Sequence, residues 1–413
     1  MRLFSKIIVG AATTATVLTV MGAPAFADPL PLGKVPPVTA AVGTGSDTIQ
    51  YVDDQIAYNW DKTTAGKKAG MYSWDAVNPY TLAIGDNIVT KSGCTAIARP
   101  DGSGAGKTAL EANTVDPSNS KYYCEDYARS SSPRSSSDPA CASGGICYVS
   151  LAGDAVTWAS RTTAAGGTDA PASLTAAQLV KIYECKDTNW KQVGGTSAPI
   201  EAFLPQTSSG TRQFFLLALG GGTTPITPGS CVSDGATTQE PGGTIEENEG
   251  IDPHLNSPEA IFPFSIGAYV DQAYHSAPCT NADCSEVSAS KFPCPAVTGK
   301  NKFGCDEAGV LGVDEISNVK PLTSAKLPVI NGNFPIGFQR TLFDVVRYDA
   351  GTADHIPGPD AVTGKTNGSI NLEQLFAAKS AAVPGYACTT EATVIKDYGY
   401  LPTWKLSSCG AVG

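Results

Sequence analysis

Histidine is scarce, with only His254, His275 and His355 in 413 residues. No two of the 12 cysteines stand two residues apart, so the paired spacing of zinc knuckles is missing and a structural zinc site is not expected. Charged residues make up only 16% of the chain and sum to a net charge of -11. That deficit of positive charge excludes nucleic acid and anionic membrane surfaces as natural partners. It does not exclude a small anion, which backbone N–H groups and hydroxyls can hold with few formal charges. Aromatic residues are modest at 8%, which weakens a sugar-stacking site. The chain has no sustained short-period repeat and no coiled-coil heptads.

Met1, Arg2 and Lys6 precede an apolar run from Ile7 to Val20, and Ala25-Phe26-Ala27 follows. A positive start, an apolar core and an A-x-A exit define a secretory signal peptide over residues 1–27. The run is too short to span a bilayer comfortably. No Cys stands at the cleavage point, so no lipid attachment is expected. Removing Arg2 and Lys6 with the leader takes the net charge from -11 to -13. Residues 28–37 read as a Pro-rich tether. All 12 cysteines lie after the cut, and an even set in an exported chain is a disulfide framework. Cys141–Cys147, Cys294–Cys305 and Cys388–Cys409 are plausible local loops, though connectivity is not readable from sequence. The expected location is outside the cell or at its surface.

Strand-turn-helix units recur along the chain, the signature of an α/β domain. Val38–Val42 is the first expected strand. A helix follows with Ile49, Val52, Ile56 and Trp60 on one stripe. Residues 94–98 form a second strand, 99–106 a turn, and a helix begins through Lys107–Leu110. Ile146–Leu151 and Ala155–Trp158 read as two strands, Leu174–Tyr183 as a helix and Pro199–Leu204 as a strand. Arg212–Leu219 is a helix ended by three glycines; Ile261–Val270, Val310–Val313 and Leu342–Val346 are strands.

Three of the turns share one chemistry: Gly45-Ser46-Asp47-Thr48, Gly102-Ser103-Gly104-Ala105 and Ser209-Gly210-Thr211-Arg212. A helix N-terminus carries unsatisfied N–H groups and about half a positive charge. Glycine lets the backbone approach an anion, and Ser or Thr adds an O–H donor. Each turn alone reads as ordinary N-capping. Three together, with Arg129 and Arg212 beside Ser-rich turns, point to one oxyanion site at the C-terminal strand ends. Residues 102–108 imitate a nucleotide P-loop, but Asp101 stands where that pattern needs Gly, which leaves Lys107 as a solvated helix residue. The Ser208–Ser209 turn lacks the Gly-x-Ser-x-Gly elbow of α/β-hydrolases, and the histidines read as surface loop residues. Glu246-Glu247-Asn248-Glu249 reads as a solvated acidic loop, without a calcium-loop pattern.

The order Leu174-Thr175…Gln178-Leu179…Ile182-Tyr183…Asn189-Trp190…Ser209-Gly210-Thr211 resembles the phosphate-binding proteins that serve ABC importers. Val42–Thr48, Asp101–Gly106 and Ser265–Tyr269 add further matching stretches over roughly the first two-thirds of the chain. The resemblance implies the type II periplasmic-binding-protein fold: a disulfide-bonded, two-lobed α/β clamp. One lobe takes residues 38–156 and 320–413, the other 157–319. It implies that Ser209, Gly210, Thr211, Ser103 and Gly104 hold phosphate, and that Ser46, Asp47 and Thr48 lie in the first binding turn. Ser130 stands where that family often has an Asp that accepts the phosphate proton. Pro205 and Thr207 stand where the family often has Arg and Asp. Arg129 and Arg212 are then candidate replacements for the positive charge, and Asp47 for the proton acceptor. The expectation is a monomeric, non-enzymatic binder of inorganic phosphate or a related oxyanion, without cofactor or metal, that works with ABC importer membrane subunits. Its rivals are a secreted phosphatase or esterase using Ser209, and a clamp-fold surface protein that has lost its ligand.

Overall fold

The computed structural model describes residues 35–67, 70–78, 85–112, 114, 116–117, 122–235, 244–275, 308–325, 328–348, 372–376, 385–404, 406 and 408–413. The expected leader, Cys294–Cys305 and His355 lie outside them.

The strands are β1 (Ala41–Gly45), β2 (Met71–Ser73), β3 (Asn87–Ile88), β4 (Ile97–Ala98), β5 (Tyr127–Ser130), β6 (Ile146–Arg161), β7 (Ser173–Leu174), β8 (Glu201–Ala202), β9 (Ala260–Ser265), β10 (Leu311–Val313), β11 (Glu315–Ile316) and β12 (Gln339–Arg347). Eight of them form one mixed sheet in the order β2-β1-β5-β12-β6-β9-β8, with β10 also paired to β6. β1 runs parallel to β2 and β5, while β12 is antiparallel to both β5 and β6. The helices that position the site are α1 (Gln50–Lys62), α2 (Gly102–Glu111), α3 (Ala176–Tyr183), α4 (Gly210–Leu219) and α5 (Ile266–Val270).

Two large cores flank this sheet. In one, Ile49, Val52, Ile56 and Trp60 of α1 and its approach pack with Tyr127, Val149, Leu342 and Val346. In the other, Trp158, Leu179, Ile182, Trp190, Phe215 and Phe338 pack together. β6 runs from the first to the second, with Leu151 in one and Val156 in the other. Ile330, Phe334 and Phe338, just before β12, belong to the second core.

Several local expectations shift. The two strands foreseen over 146–158 are one continuous strand, because β12 pairs its first part and β9 and β10 its second, leaving no room for a loop. The strand foreseen over 261–270 ends at Ser265, whose hydroxyl caps α5 by accepting the Ala268 N–H. A buried, mostly apolar run does not distinguish a strand from a helix, so only the Ser265 cap marks that boundary. α2 starts at Gly102 rather than at Lys107. Lys107 is not solvated: it is 6% exposed and its ammonium lies 3.1 Å from Asp138.

Four disulfides lie among the described residues: Cys94–Cys124, Cys141–Cys147, Cys185–Cys231 and Cys388–Cys409. The second and fourth are pairs foreseen from short spacing. The other two join segments brought together only by the fold. Among the described residues, no helix is long and apolar enough to cross a membrane.

Candidate oxyanion site

The sheet gathers the Gly/Ser/Thr turns at one place. β1 ends on Gly45 at φ +114°, and a Cβ there would stand 2.7 Å from the Arg129 carbonyl oxygen. Only glycine fits so close a bend, and it releases Ser46 toward the turn. β5, parallel to β1, delivers Ser130 and then Ser131 beside it. The start of α2 meets the turn before α4, where Gly104 N–H donates to the Ser208 carbonyl at 3.0 Å. Ser131 N–H donates to Ser103 Oγ at 2.9 Å, and Ser46 Oγ lies 2.9 Å from Ser131 Oγ. Thr48 Oγ1 and Thr211 Oγ1 stand 3.3 Å apart. Gly210 sits so tightly here that a Cβ would meet Ser103 Oγ and Ser131 Oγ, each at 2.2 Å.

These donors converge on the carboxylate of Glu247. Ser46 Oγ donates to Oε1 at 2.7 Å and Ser131 Oγ lies 3.3 Å from it. Ser209 Oγ donates to Oε2 at 2.5 Å, and the Thr211 N–H donates to the same oxygen at 2.7 Å. The Thr48 N–H approaches Oε1 at 3.4 Å. Burial works against this charge, yet hydrogen bonds from Asp47, Ser209 and Thr211 and the charge of Arg340 outweigh it, holding Glu247 down at about 2. Asp47 moves the other way, well above the usual carboxylate range, through burial first and then the neighbouring Glu247 charge. The pair therefore shares one proton, with Asp47 as donor and Glu247 as anion.

Arg340 is the cation of the site. Its Nη1 donates to the Ser131 carbonyl at 2.9 Å and to Thr211 Oγ1 at 3.1 Å. Its other face pairs with Asp154, at 2.8 Å from Nε and 2.7 Å from Nη2. Arg340 on β12 and Asp154 on β6 are register partners, so the ladder sets this pair. Asp154 also accepts from Ser265 Oγ at 2.8 Å and from the Gly267 N–H at 2.9 Å.

Of the residues singled out from sequence, Ser46, Asp47, Thr48, Ser103, Ser209, Gly210 and Thr211 come together here, and Gly104 braces the contact between α2 and α4. Three do not reach the seat. Arg129 is fully buried, but its guanidinium donates to the carbonyls of Ser46, Gly45 and Trp74 and to Ser73 Oγ, so it supports the first turn from behind. The Ser130 hydroxyl turns to the Ser132 carbonyl at 2.9 Å, because alternation along a strand points neighbours to opposite sides. The Arg212 guanidinium donates to the Pro205 carbonyl and lies 3.8 Å from Asp234.

Sequence reading missed Ser131, Glu247, Asn248 and Arg340. Ser131 was one residue from the foreseen Ser130. The acidic loop is not solvated: Glu246, Glu247 and Asn248 are 6%, 2% and 3% exposed. It is held by Gln206 N–H to the Ile245 carbonyl and by Ser265 N–H to Asn248 Oδ1. Asn248 takes a left-handed φ of 62°, a conformation Asn tolerates well, and its Nδ2 donates to Thr48 Oγ1 at 3.0 Å. A cavity of about 20 Å³ lined by Asp47, Thr48, Glu247 and Asn248 is the space left beside the carboxylate, enough for about one water. His254 takes no part in this cluster; its Nδ1 lies 2.8 Å from Asp252 and its ring meets Phe203. Among the described residues, no group of His, Cys, Asp and Glu is arranged to hold a metal ion.

Residues 74–269 match the model of the PBP superfamily domain. The matched span contains Ser103, Ser131, Ser209–Thr211 and Glu247. The chain is also similar to several solved structures. An ABC-type phosphate transport receptor from Vibrio cholerae is 14% identical with a TM-score of 0.45, over 87% of this chain and 99% of that one. A phosphate-binding protein from Stenotrophomonas maltophilia is 13% identical with a TM-score of 0.41, over 89% and 91%. PstS from Borrelia burgdorferi is 14% identical with a TM-score of 0.39, over 88% and 98%. No curated protein matches the chain.

Proposed function

We propose that this chain is an exported solute-binding protein that captures a small oxyanion, inorganic phosphate, between two lobes and presents it to the membrane subunits of an ABC importer. One observation carries this reading. Hydroxyl and backbone N–H donors from three separate turns, at Ser46–Thr48, Ser131 and Ser209–Thr211, meet on one buried carboxylate. A seat that stabilises a carboxylate anion in this way suits phosphate, since charge-assisted hydrogen bonds to hydroxyls and N–H groups serve both. The PBP superfamily domain supports the same class.

The clamp takes residues 38–156 with 320–413 as one lobe and 157–319 as the other, except that Ile330, Phe334 and Phe338 pack into the second core, and the seat lies where turns of both meet. No bond is broken in such a site. The Ser209 hydroxyl is engaged with Glu247 and the Arg212 N–H, the pattern of a cap and a binding donor, which favours binding over hydrolysis. Asp47 keeps its proton beside the Glu247 charge; once that carboxylate leaves the seat, Asp47 can ionise and accept the phosphate proton, which sulfate at neutral pH lacks. Isothermal titration of the folded chain with phosphate and with sulfate tests the reading. Heat with phosphate and little with sulfate is expected; a preference for sulfate removes phosphate as the ligand, and no heat with either, in wild type or with the seat vacated, removes the oxyanion.

A second reading, a clamp that keeps the fold without taking up a solute, is favoured by one observation: the seat already holds a side chain.

A further inference from the structure

Resting on the oxyanion reading above, we propose that Glu247 is a tethered counter-ligand, a carboxylate of the chain itself that fills the oxyanion seat and competes with any free anion. The contacts are those of a ligand rather than of a surface side chain. Both carboxylate oxygens are engaged, Oε1 by Ser46 and Ser131 and Oε2 by Ser209 and the Thr211 N–H. Arg340 stands behind two of the same residues, donating to Thr211 Oγ1 and the Ser131 carbonyl. The donors that Glu247 engages are the ones a tetrahedral anion in this seat would need. Phosphate and Glu247 therefore exclude one another.

The segment that carries Glu247 is built to deliver it. Ile245 is buried and its carbonyl accepts from Gln206 N–H, the residue that begins the turn into α4. Asn248, at its left-handed φ, bonds both Thr48 from the first turn and Ser265 at the end of β9. Gln272 Nε2 donates to the Asn248 carbonyl at 3.0 Å. One short stretch thus ties the first turn, the α4 turn and the α5 region, with Glu247 at the centre. Withdrawing it opens the seat and loosens the contact between the two cores at the same time. A free anion must match the contacts of Glu247 before it binds, so the apparent affinity is the intrinsic one multiplied by the fraction of time the seat stands open. A seat open about 1% of the time binds about 100-fold more weakly than the vacated one.

The experiment is phosphate titration of full-length wild type, Glu247→Ala and Glu247→Gln, followed by calorimetry and by melting temperature. Phosphate is expected to bind Glu247→Ala at least about tenfold more tightly than wild type. Free acetate, a stand-in for the lost side chain, is expected to raise the melting temperature of Glu247→Ala and not that of wild type. If Glu247→Ala does not fold, Glu247→Gln, which keeps the volume and loses the charge, is expected to show the same direction with a smaller gain. Equal phosphate affinity in wild type and variant overturns the counter-ligand and leaves the oxyanion seat standing. Folded variants that bind neither phosphate, sulfate nor acetate overturn the seat itself, and the counter-ligand with it.

Discussion

At Gly210 a single hydrogen in place of a side chain lets three turns touch. Ser103 Oγ and Ser131 Oγ occupy the space a Cβ would need, and both are fixed by their own hydrogen bond. Gly210→Ala therefore forces the start of α4 away from the first turn. Overpacking of this kind costs about 1–3 kcal/mol. The expected result is a lower melting temperature and, in a Glu247→Ala background, loss of the phosphate binding gained there. Calorimetry and a thermal melt on the two chains check it. Gly210 and its neighbours were legible because Gly, Ser and Thr before a helix announce unsatisfied N–H groups. Glu247 was not, since Glu-Glu-Asn-Glu has the composition of a solvated loop, and only the donors from distant turns make its burial favourable. Arg340 was equally hidden. Nothing local marks it, and its place follows from pairing with Asp154 across the β6–β12 ladder.

At the scale of elements, the helices read most faithfully. α1 carries its apolar stripe at steps of three and four, and α3 begins with a capping box in which Thr175 and Gln178 bond reciprocally. The strand ends were harder. β6 and β9 are buried almost throughout, polar residues included, so the break at Ser265 and the absence of a break near Asp154 depend on partners. The Cys185–Cys231 disulfide is an element-scale constraint of the same kind, tying the end of α3 to the loop after α4 across 46 residues. Closing a loop of that length stabilises by about 4 kcal/mol in the chain-entropy account. The double variant Cys185→Ala/Cys231→Ala is expected to lose a large part of that in a urea melt. Cys141–Cys147 closes only six residues, so its removal is expected to cost less.

At the scale of the molecule, many carboxyl groups are buried in an acidic chain. Burial raises Asp61 to about 6, Asp314 to about 7 and Glu125 to about 8. Asp53 and Asp344, facing one another, both shift upward, chiefly by burial. A carboxyl whose value is raised on folding keeps its proton in the native state after the unfolded chain has lost its own. Stability then falls as pH rises from about 4 through these values, on the order of 1 kcal/mol per pH unit per group. Glu247 has the opposite sign, but its window lies between about 4.5 and 2 and does not touch the neutral range. The native chain is therefore expected to melt higher at pH 5 than at pH 8, measured by calorimetry at constant ionic strength. A melting temperature that climbs from pH 5 to pH 8 would show that these groups are ionised in the native state.

The amino-acid sequence by itself determined the α/β character and the turn chemistry, because each arises from residues close along the chain, and it offered two of the disulfides only as plausible local pairs. The tertiary structure alone decided which anion those turns hold. Strand register aligned Arg340 with Asp154, and parallel pairing of β1 with β5 brought Ser46 beside Ser131. A loop some 200 residues from the first turn then set a carboxylate between them. The reason is physical: hydrogen-bond donors are local property, but the cost of burying a charge depends on everything that surrounds it.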